Sequence, residues 1–257
     1  MDLKQDNRKS IPDLGNRKIP SVTQVTGILA KKKLISWAAE ITAQYFKDEI
    51  LDLIKHGFMT YEEFIAIDSD SFYKKALIHH TETAMKEADK GTKTHQAIKR
   101  FLKAEPEEDI DFERLIEKPF RAFQEWWEKN EVIPIMCEER VYCPDNGGYK
   151  GQPDLLAYVK EEKDADSILY LIDFKTSNAI YEDMILQLCG YYFAIKHSLN
   201  LEPHKAQIIR LDKNEGFPEF HTFEREEIYE GYGRFLCLLE YWHKTHGVKE
   251  IREEDWM

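Results

Sequence analysis

The chain has 257 residues, 42% of them hydrophobic and 12% aromatic, which suits one large domain or two small ones with a real core. Its 36 Lys and Arg against 48 Asp and Glu leave a net charge of −12. With a pI near 5.3, that balance excludes a wholly basic, sequence-indifferent nucleic-acid coat protein, though not an enzyme with a local basic groove and a carboxylate-lined metal site. A mean hydropathy of −0.58 and the lack of any run near the roughly 18 apolar residues of a membrane span predict a water-soluble chain without a membrane partner. No apolar stretch follows the charges of residues 1–10, so no secretory signal is expected. Four cysteines, Cys137, Cys143, Cys189 and Cys237, are too scattered for a disulfide scaffold. None forms the C-x2-C pair of a structural zinc site. They are expected to be reduced thiols in a cytoplasmic compartment.

Residues 1–18 are polar and aperiodic and read as a flexible arm. Ile19-Pro-Ser-Val-Thr-Gln-Val-Thr26 is a short β-prone piece. Leu34, Trp37, Ala38, Ile41 and Tyr45 then recur at helical spacing and predict an amphipathic helix over 34–55. A helical patch follows over 61–67, and a further helix over 71–102 is expected to be interrupted at Gly91. Residues 111–129 carry Phe112, Leu115, Ile116, Phe120, Phe123 and Trp127 on one broad helical face, with a kink at Pro119.

The texture changes at residue 132. Val132 to Tyr142 reads as a strand, Pro144-Asp-Asn-Gly-Gly148 as a hairpin turn, and Tyr149 to Val159 as a second strand. Ile168-Leu-Tyr-Leu-Ile-Asp-Phe174 is a third, and its nearly continuous apolar run predicts burial on both faces. A helix over 180–198, a strand over 206–211, an extended piece over 217–223 and a closing helix over 224–246 complete the chain. The order predicts a mixed α/β (α+β) fold of two or three layers. A helical part over 19–130 and a core over 131–257 are expected to form one compact unit.

The chemistry concentrates between 138 and 191. The strand ending Leu171-Ile-Asp173-Phe-Lys175 places Asp173 and Lys175 on one face, because side chains alternate. The neighbouring hairpin strand, entered through Gly151-Gln-Pro-Asp154, can bring Asp154 beside them. Two carboxylates and an ammonium at one strand end suit a hard divalent cation, with a lysine near the water it activates. Charges ending a buried strand also mark where it reaches solvent, and the acidic-x-Lys triplet recurs at Asp2–Lys4 and Glu161–Lys163. Context therefore decides.

That context is Gly-x-Pro-Asp at 151–154, Asp-x-Lys at 173–175, and Gln187 four residues before Tyr191, hence on one helix face. Gly91-Thr-Lys-Thr-His95 lies on an upstream helix, Glu138 precedes Val141-Tyr142, and Pro20-Ser-Val-Thr23 precedes Leu34 and Trp37-Ala38. Together these motifs resemble the PD-(D/E)xK nuclease superfamily. Within it they resemble the RecB-like exonuclease branch, including its phage and mitochondrial genome-maintenance members, and the resemblance spans residues 19–212.

The resemblance implies an αβββαβ core and a metal-dependent DNA exonuclease of recombination, repair or phage DNA processing. Its partners would be DNA with a free end and recombination or replication proteins. Asp154, Asp173, His95 and the Phe174 carbonyl would hold Mg²⁺ or Mn²⁺. Glu138 would help, with Glu139 as the competing choice because a bulge shifts strand parity. Lys175 would orient or deprotonate the attacking water and stabilise developing charge. Gln187 and Tyr191 would contact the metal shell or the DNA backbone. Local cations must carry DNA affinity in so acidic a chain; the candidates are Lys31–Lys33, Lys93, Lys99, Arg100 and Lys103.

Iron–sulfur members of the branch place a cysteine before the histidine motif and a cysteine cluster near the C-terminus. Neither is present, so no iron–sulfur cluster is expected. His243 and His246 with Cys237 lack a fourth ligand for zinc. The rival readings are an endonuclease of the same fold, a catalytically silent DNA-binding or docking module, and an unrelated metal-binding α/β protein. Intact Asp154, Asp173 and Lys175 speak against silence.

Overall fold

The computed structural model describes residues 19–29, 32–60, 62–63, 69–104, 116–160 and 166–246. The arm expected over 1–18 lies outside them, as does the 61–67 patch apart from Glu62 and Glu63. Two compact units emerge, one of residues 30–92 and the other of residues 1–29 with 93–257. The single unit expected over 19–257 is thus divided, and not at residue 130. The later helices belong with the sheet because their apolar faces are buried on it.

The smaller unit holds α2 (Lys32–Lys55) and most of α3 (Ser69–Leu102). Trp37, Ala38, Ile41 and Tyr45 are half-buried, as their spacing predicts, and the Tyr45 ring lies 4.6 Å from that of His79. Helix α3 runs through Gly91 without the expected interruption. One glycine costs only about 1 kcal/mol of helix propensity, too little to break a helix of 34 residues.

The larger unit is built on a mixed five-stranded sheet. Its strands are β1 (Glu131–Cys137), β4 (Leu155–Lys160), β5 (Ile168–Lys175), β6 (Lys205–Leu211) and β7 (Pro218–Phe223), hydrogen-bonded in that order. Only β5 and β6 are parallel. Parallel neighbours need a crossover, and α5 (Glu182–Leu199) supplies it. A separate hairpin joins β2 (Val141–Cys143) to β3 (Tyr149–Gly151) through a 3-10 turn at Asp145–Gly147. The fold is α+β, with helices on both sides of the sheet.

Alternation along β5 sorts the core. Leu169 and Leu171, with Leu156 of β4 and Ile208 of β6, pack against Leu188, Tyr192 and Ile195 of α5 and against Tyr232, Phe235 and Leu239 of α6 (Arg225–His246). Tyr170, Ile172 and Phe174 face the other way, onto Phe120, Phe123 and Trp126 of α4 (Glu117–Lys129) and Ala97 and Ile98 of α3. Burial on both faces of this strand, predicted from its apolar run, is what the structure has. Trp126, passed over in the helical-face reading, is buried; Trp127 is only partly so.

Four more expected elements differ. The piece read as β-prone over 19–26 forms a short helix over Val22–Thr26, because Ser21 and Gln24 build a capping box at its start. Helix α4 begins at Glu117, and Pro119 sits in its first turn, where a missing N–H loses no helical bond and bends nothing. Phe112 and Leu115 lie outside the described residues. The strand expected over 132–142 breaks after Cys137, because Glu138 adopts a left-handed backbone with φ of 46°, and β2 leaves to pair with β3. The strand expected over 149–159 likewise divides at Gln152–Asp154. Both breaks flank the same strand end. They free Glu138 and Asp154 from the sheet ladder and turn them to other work.

No helix among the described residues is long and apolar enough to cross a membrane. All four cysteines are free thiols, with Cys143 and Cys189 buried.

Candidate metal centre

Strand parity assembles the first part of the site. Asp173 and Lys175 share the β5 face of Leu169 and Leu171, which is the face of α5. Asp154 stands two residues before Leu156 of the same layer, one step beyond the Leu155–Ile172 pairing. Lys175 Nζ lies 2.7 Å from Asp173 Oδ2. The Phe174 amide donates to Asp154 Oδ2 at 2.7 Å, which locks that carboxylate onto β5. In a strand, N–H and C=O of one residue leave on the same side, so the Phe174 carbonyl also faces the Asp154 side.

These charges are not the exposed strand-end groups that their sequence position suggests. Asp173 is 1% exposed, and the Asp154 side chain is 14% exposed. Burial, reinforced by Asp154, pushes the Asp173 carboxyl up to about 6 against the pull of Lys175. Asp154 feels burial as well, but His95, Lys175 and the Phe174 amide outweigh it and hold this carboxyl below its ordinary value. Shifted titratable groups gather at functional sites, and structural ion-pair networks shift them as well.

The second part comes from α3 and the end of β1. His95 Nδ1 is 3.2 Å from Asp154 Oδ1. Burial would lower its pKa, yet Asp154 raises it above the usual histidine value. Glu138 donates its backbone N–H to the Asp154 carbonyl at 3.1 Å. One nitrogen of His95, one oxygen of Glu138 and one of Asp154 lie within 4.8 Å of one another. Among the described residues, Glu138 and not Glu139 stands in this group. A nitrogen and two carboxylate oxygens fit Mg²⁺ and, with the imidazole, fit Mn²⁺ better. Asp173 falls outside that group. Its buried Oδ2 is engaged by the Lys175 ammonium at 2.7 Å.

The chain matches no protein-family model and no curated protein. What the site does must be read from its chemistry.

Lys175 is steered from α5. Its Nζ donates to Gln187 Oε1 at 3.0 Å, and Gln187 Nε2 donates to the Tyr191 hydroxyl at 2.8 Å. Asp173 and Asp154 together keep Lys175 an ammonium, above its usual pKa despite burial. That favours its orienting and charge-stabilising roles over proton abstraction. Tyr191 is 5% exposed, and burial pushes its phenol well up. The expected Tyr191 contact with the DNA backbone does not fit a ring inside the core with its hydroxyl engaged by Gln187.

The glycine of Gly-x-Pro-Asp has a reason in the same line of contacts. A Cβ on Gly151 would lie 2.7 Å from Tyr191 Cδ1 and 3.3 Å from Val22 Cγ2. Val22 belongs to α1 (Val22–Thr26), which is capped by Ser21 and Gln24 and tied to β3 by the Lys150 amide on the Pro20 carbonyl at 3.0 Å. The Pro20–Thr23 motif is therefore a brace behind Tyr191. Gly151→Ala is expected to displace the Tyr191 ring, cost about 1–3 kcal/mol in overpacking and slow any Lys175-dependent reaction about tenfold. Melting and rate measurements check it; an unchanged pair of values would show that the ring has room.

Of the expected DNA-binding cations, Lys99 is paired with Glu138, Nζ to Oε2 at 2.6 Å. Lys93 and Arg100 are half-buried on the same stretch of α3. The side chains of Lys31–Lys33 are outside the described residues. His243 bonds the Gly148 carbonyl at 3.1 Å and His246 stacks on Trp242, so neither points to zinc.

The sequence reading missed Arg210, which is in register with Lys175 across β5 and β6. It is buried, ion-paired with Glu219 and Asp212, and donates to the Ser177 carbonyl at 3.3 Å. It thus anchors the turn that follows Lys175. An arginine directly after Ile208-Ile209 in a strand was the available signal.

Proposed function

We propose that this protein is a metal-dependent deoxyribonuclease with a PD-(D/E)xK core, acting as an exonuclease of RecB-like type. The observation that carries the reading is the gathering of His95, Glu138 and Asp154 within 4.8 Å beside the Asp173–Lys175 pair at 2.7 Å. The order β1, β4, β5, α5, β6, with the last two strands parallel, supports the αβββαβ expectation.

His95, Glu138 and Asp154 would hold Mg²⁺ or Mn²⁺, with Asp173 and the Phe174 carbonyl adjoining. The chemistry such an ion supplies when bound is charge neutralisation at phosphate oxygens and acidification of water. Lys175 then places a fixed positive charge where a phosphate accumulates negative charge. Gln187 fixes the direction of that ammonium, and Tyr191 fixes Gln187. His95 must be neutral to ligate, so cation binding has to displace its proton. Because Asp154 raises the His95 pKa, metal affinity should climb with pH through the region above 6.5. Lys93 and Arg100, half-buried on the same stretch of α3 as His95, would meet a strand backbone.

The test uses end-labelled linear and closed circular DNA, single- and double-stranded, with Mg²⁺ or Mn²⁺. Shortening from the ends with circles left intact is the expected result. His95→Ala should weaken Mn²⁺ binding and lower the rate at least about tenfold, ~1.4 kcal/mol of barrier. A His95→Ala enzyme of unchanged rate, in a protein that also nicks closed circles, would replace the exonuclease with an endonuclease.

A further inference from the structure

Glu138 is held differently from the other candidate ligands. Its backbone is left-handed, φ 46°, a conformation that non-glycine residues rarely adopt and that concentrates at functional sites. Its amide is tied to the Asp154 carbonyl. So placed, its carboxylate joins His95 and Asp154 and also lies 2.6 Å from Lys99 Nζ. His95 and Lys99 are four residues apart, so they project from one face of α3. Each answers one carboxylate of the candidate metal group: His95 answers Asp154, and Lys99 answers Glu138.

A divalent cation entering this group must take a Glu138 oxygen from an ammonium and then sit beside that positive charge. Both effects oppose it. Lys99, a third exposed on a flexible stem, is able to leave. A phosphodiester backbone offers it another anion at the moment when the site is needed.

We propose that Lys99 is an internal counter-ion that occupies Glu138 until a strand phosphate draws the ammonium away, so that a divalent cation and a polyanionic strand bind cooperatively. This rests on the nuclease reading above and adds to it a coupling between the two ligands. By linkage the coupling is reciprocal, each ligand tightening the other by the same factor.

The test titrates Mn²⁺ into the full chain by calorimetry, alone and with a phosphorothioate-linked single-stranded oligothymidylate that resists hydrolysis. Lys99→Gln should bind Mn²⁺ about tenfold more tightly than wild type without the oligonucleotide, since an opposing charge is gone. The oligonucleotide should then sharpen Mn²⁺ binding less than it does in wild type, while Lys99→Arg stays near wild type in both. Equal or weaker Mn²⁺ binding by Lys99→Gln overturns the proposal, and so does an undiminished effect of the oligonucleotide. Neither result touches the nuclease reading, which is judged separately by digestion of unmodified DNA. A wild-type chain that digests DNA yet shows no Mn²⁺–oligonucleotide cooperativity overturns the counter-ion alone.

Discussion

Replacing Asp173 by asparagine is expected to lower Mn²⁺-dependent DNA hydrolysis by at least about a thousandfold, ~4 kcal/mol of barrier. The same change should alter how stability depends on pH. Asp173 is 1% exposed, and burial lifts its carboxyl from 3.8 to about 6. The unfolded chain releases this proton first, so between about pH 4 and 6 the folded state binds more protons and wild-type stability falls as pH rises. Asparagine has no such titration. The melting temperature of Asp173→Asn relative to wild type should therefore rise across that window in chelator-treated buffer, each 1 kcal/mol moving it roughly 2–4 °C in a protein of this size. Asp154, lowered, acts below pH 3.8, and His95, raised, acts above pH 6.5, so neither masks the interval. A difference that stays flat from pH 4 to 6 would falsify the burial argument; undiminished hydrolysis would remove Asp173 from the site.

The strand-end pair was legible because periodicity carries it. Asp173 and Lys175 follow a run too apolar to be anything but a doubly buried strand, and alternation puts them on one face. Asp154 follows from hairpin register. Glu138 was legible only as one of two choices, since periodicity cannot show a left-handed residue that ends one strand pairing and starts another. His95 is 59 residues from Asp154, and no local pattern joins them; the family resemblance alone singled it out. Lys99 shows the limit of composition. A lysine in a basic pair reads as a surface cation, and only three-dimensional packing places it on Glu138. Burial was the largest misjudgement. A charged residue at a strand end reads as solvent-facing, yet Asp173 is buried beside Lys175, Asp154 and His95. Gly91 and Pro119 erred the other way, because breaker residues were given more weight than a long helix or a first turn allows.

Lys175→Met should separate holding a cation from using it. Methionine keeps much of the length and apolar bulk of lysine without the charge; Gln187 Oε1 loses its Lys175 donor, while the Gln187 bond to the Tyr191 hydroxyl remains. Hydrolysis is expected to fall by about a thousandfold or more, ~4 kcal/mol, because no ammonium then faces the reacting phosphate. Mn²⁺ should bind at least as tightly as in wild type, since a positive charge beside the carboxylates is gone. Stability should suffer, however. Lys175 lies 2.7 Å from an Asp173 side chain that is 2% exposed, and deleting one partner of a buried pair costs about 3–5 kcal/mol when the other stays charged. Asp173 can escape part of that cost by taking a proton, which its already raised pKa favours. The deficit should therefore be smallest near pH 5 and should grow toward pH 8, which melting in chelator-treated buffer measures directly. Loss of Mn²⁺ binding together with hydrolysis would recast Lys175 as a residue that shapes the ligand set. A retained rate would take it out of the chemistry. Only lost hydrolysis with intact Mn²⁺ affinity fits an ammonium that acts on the phosphate, and that combination cannot arise from a Lys175 whose sole task is to neutralise Asp173.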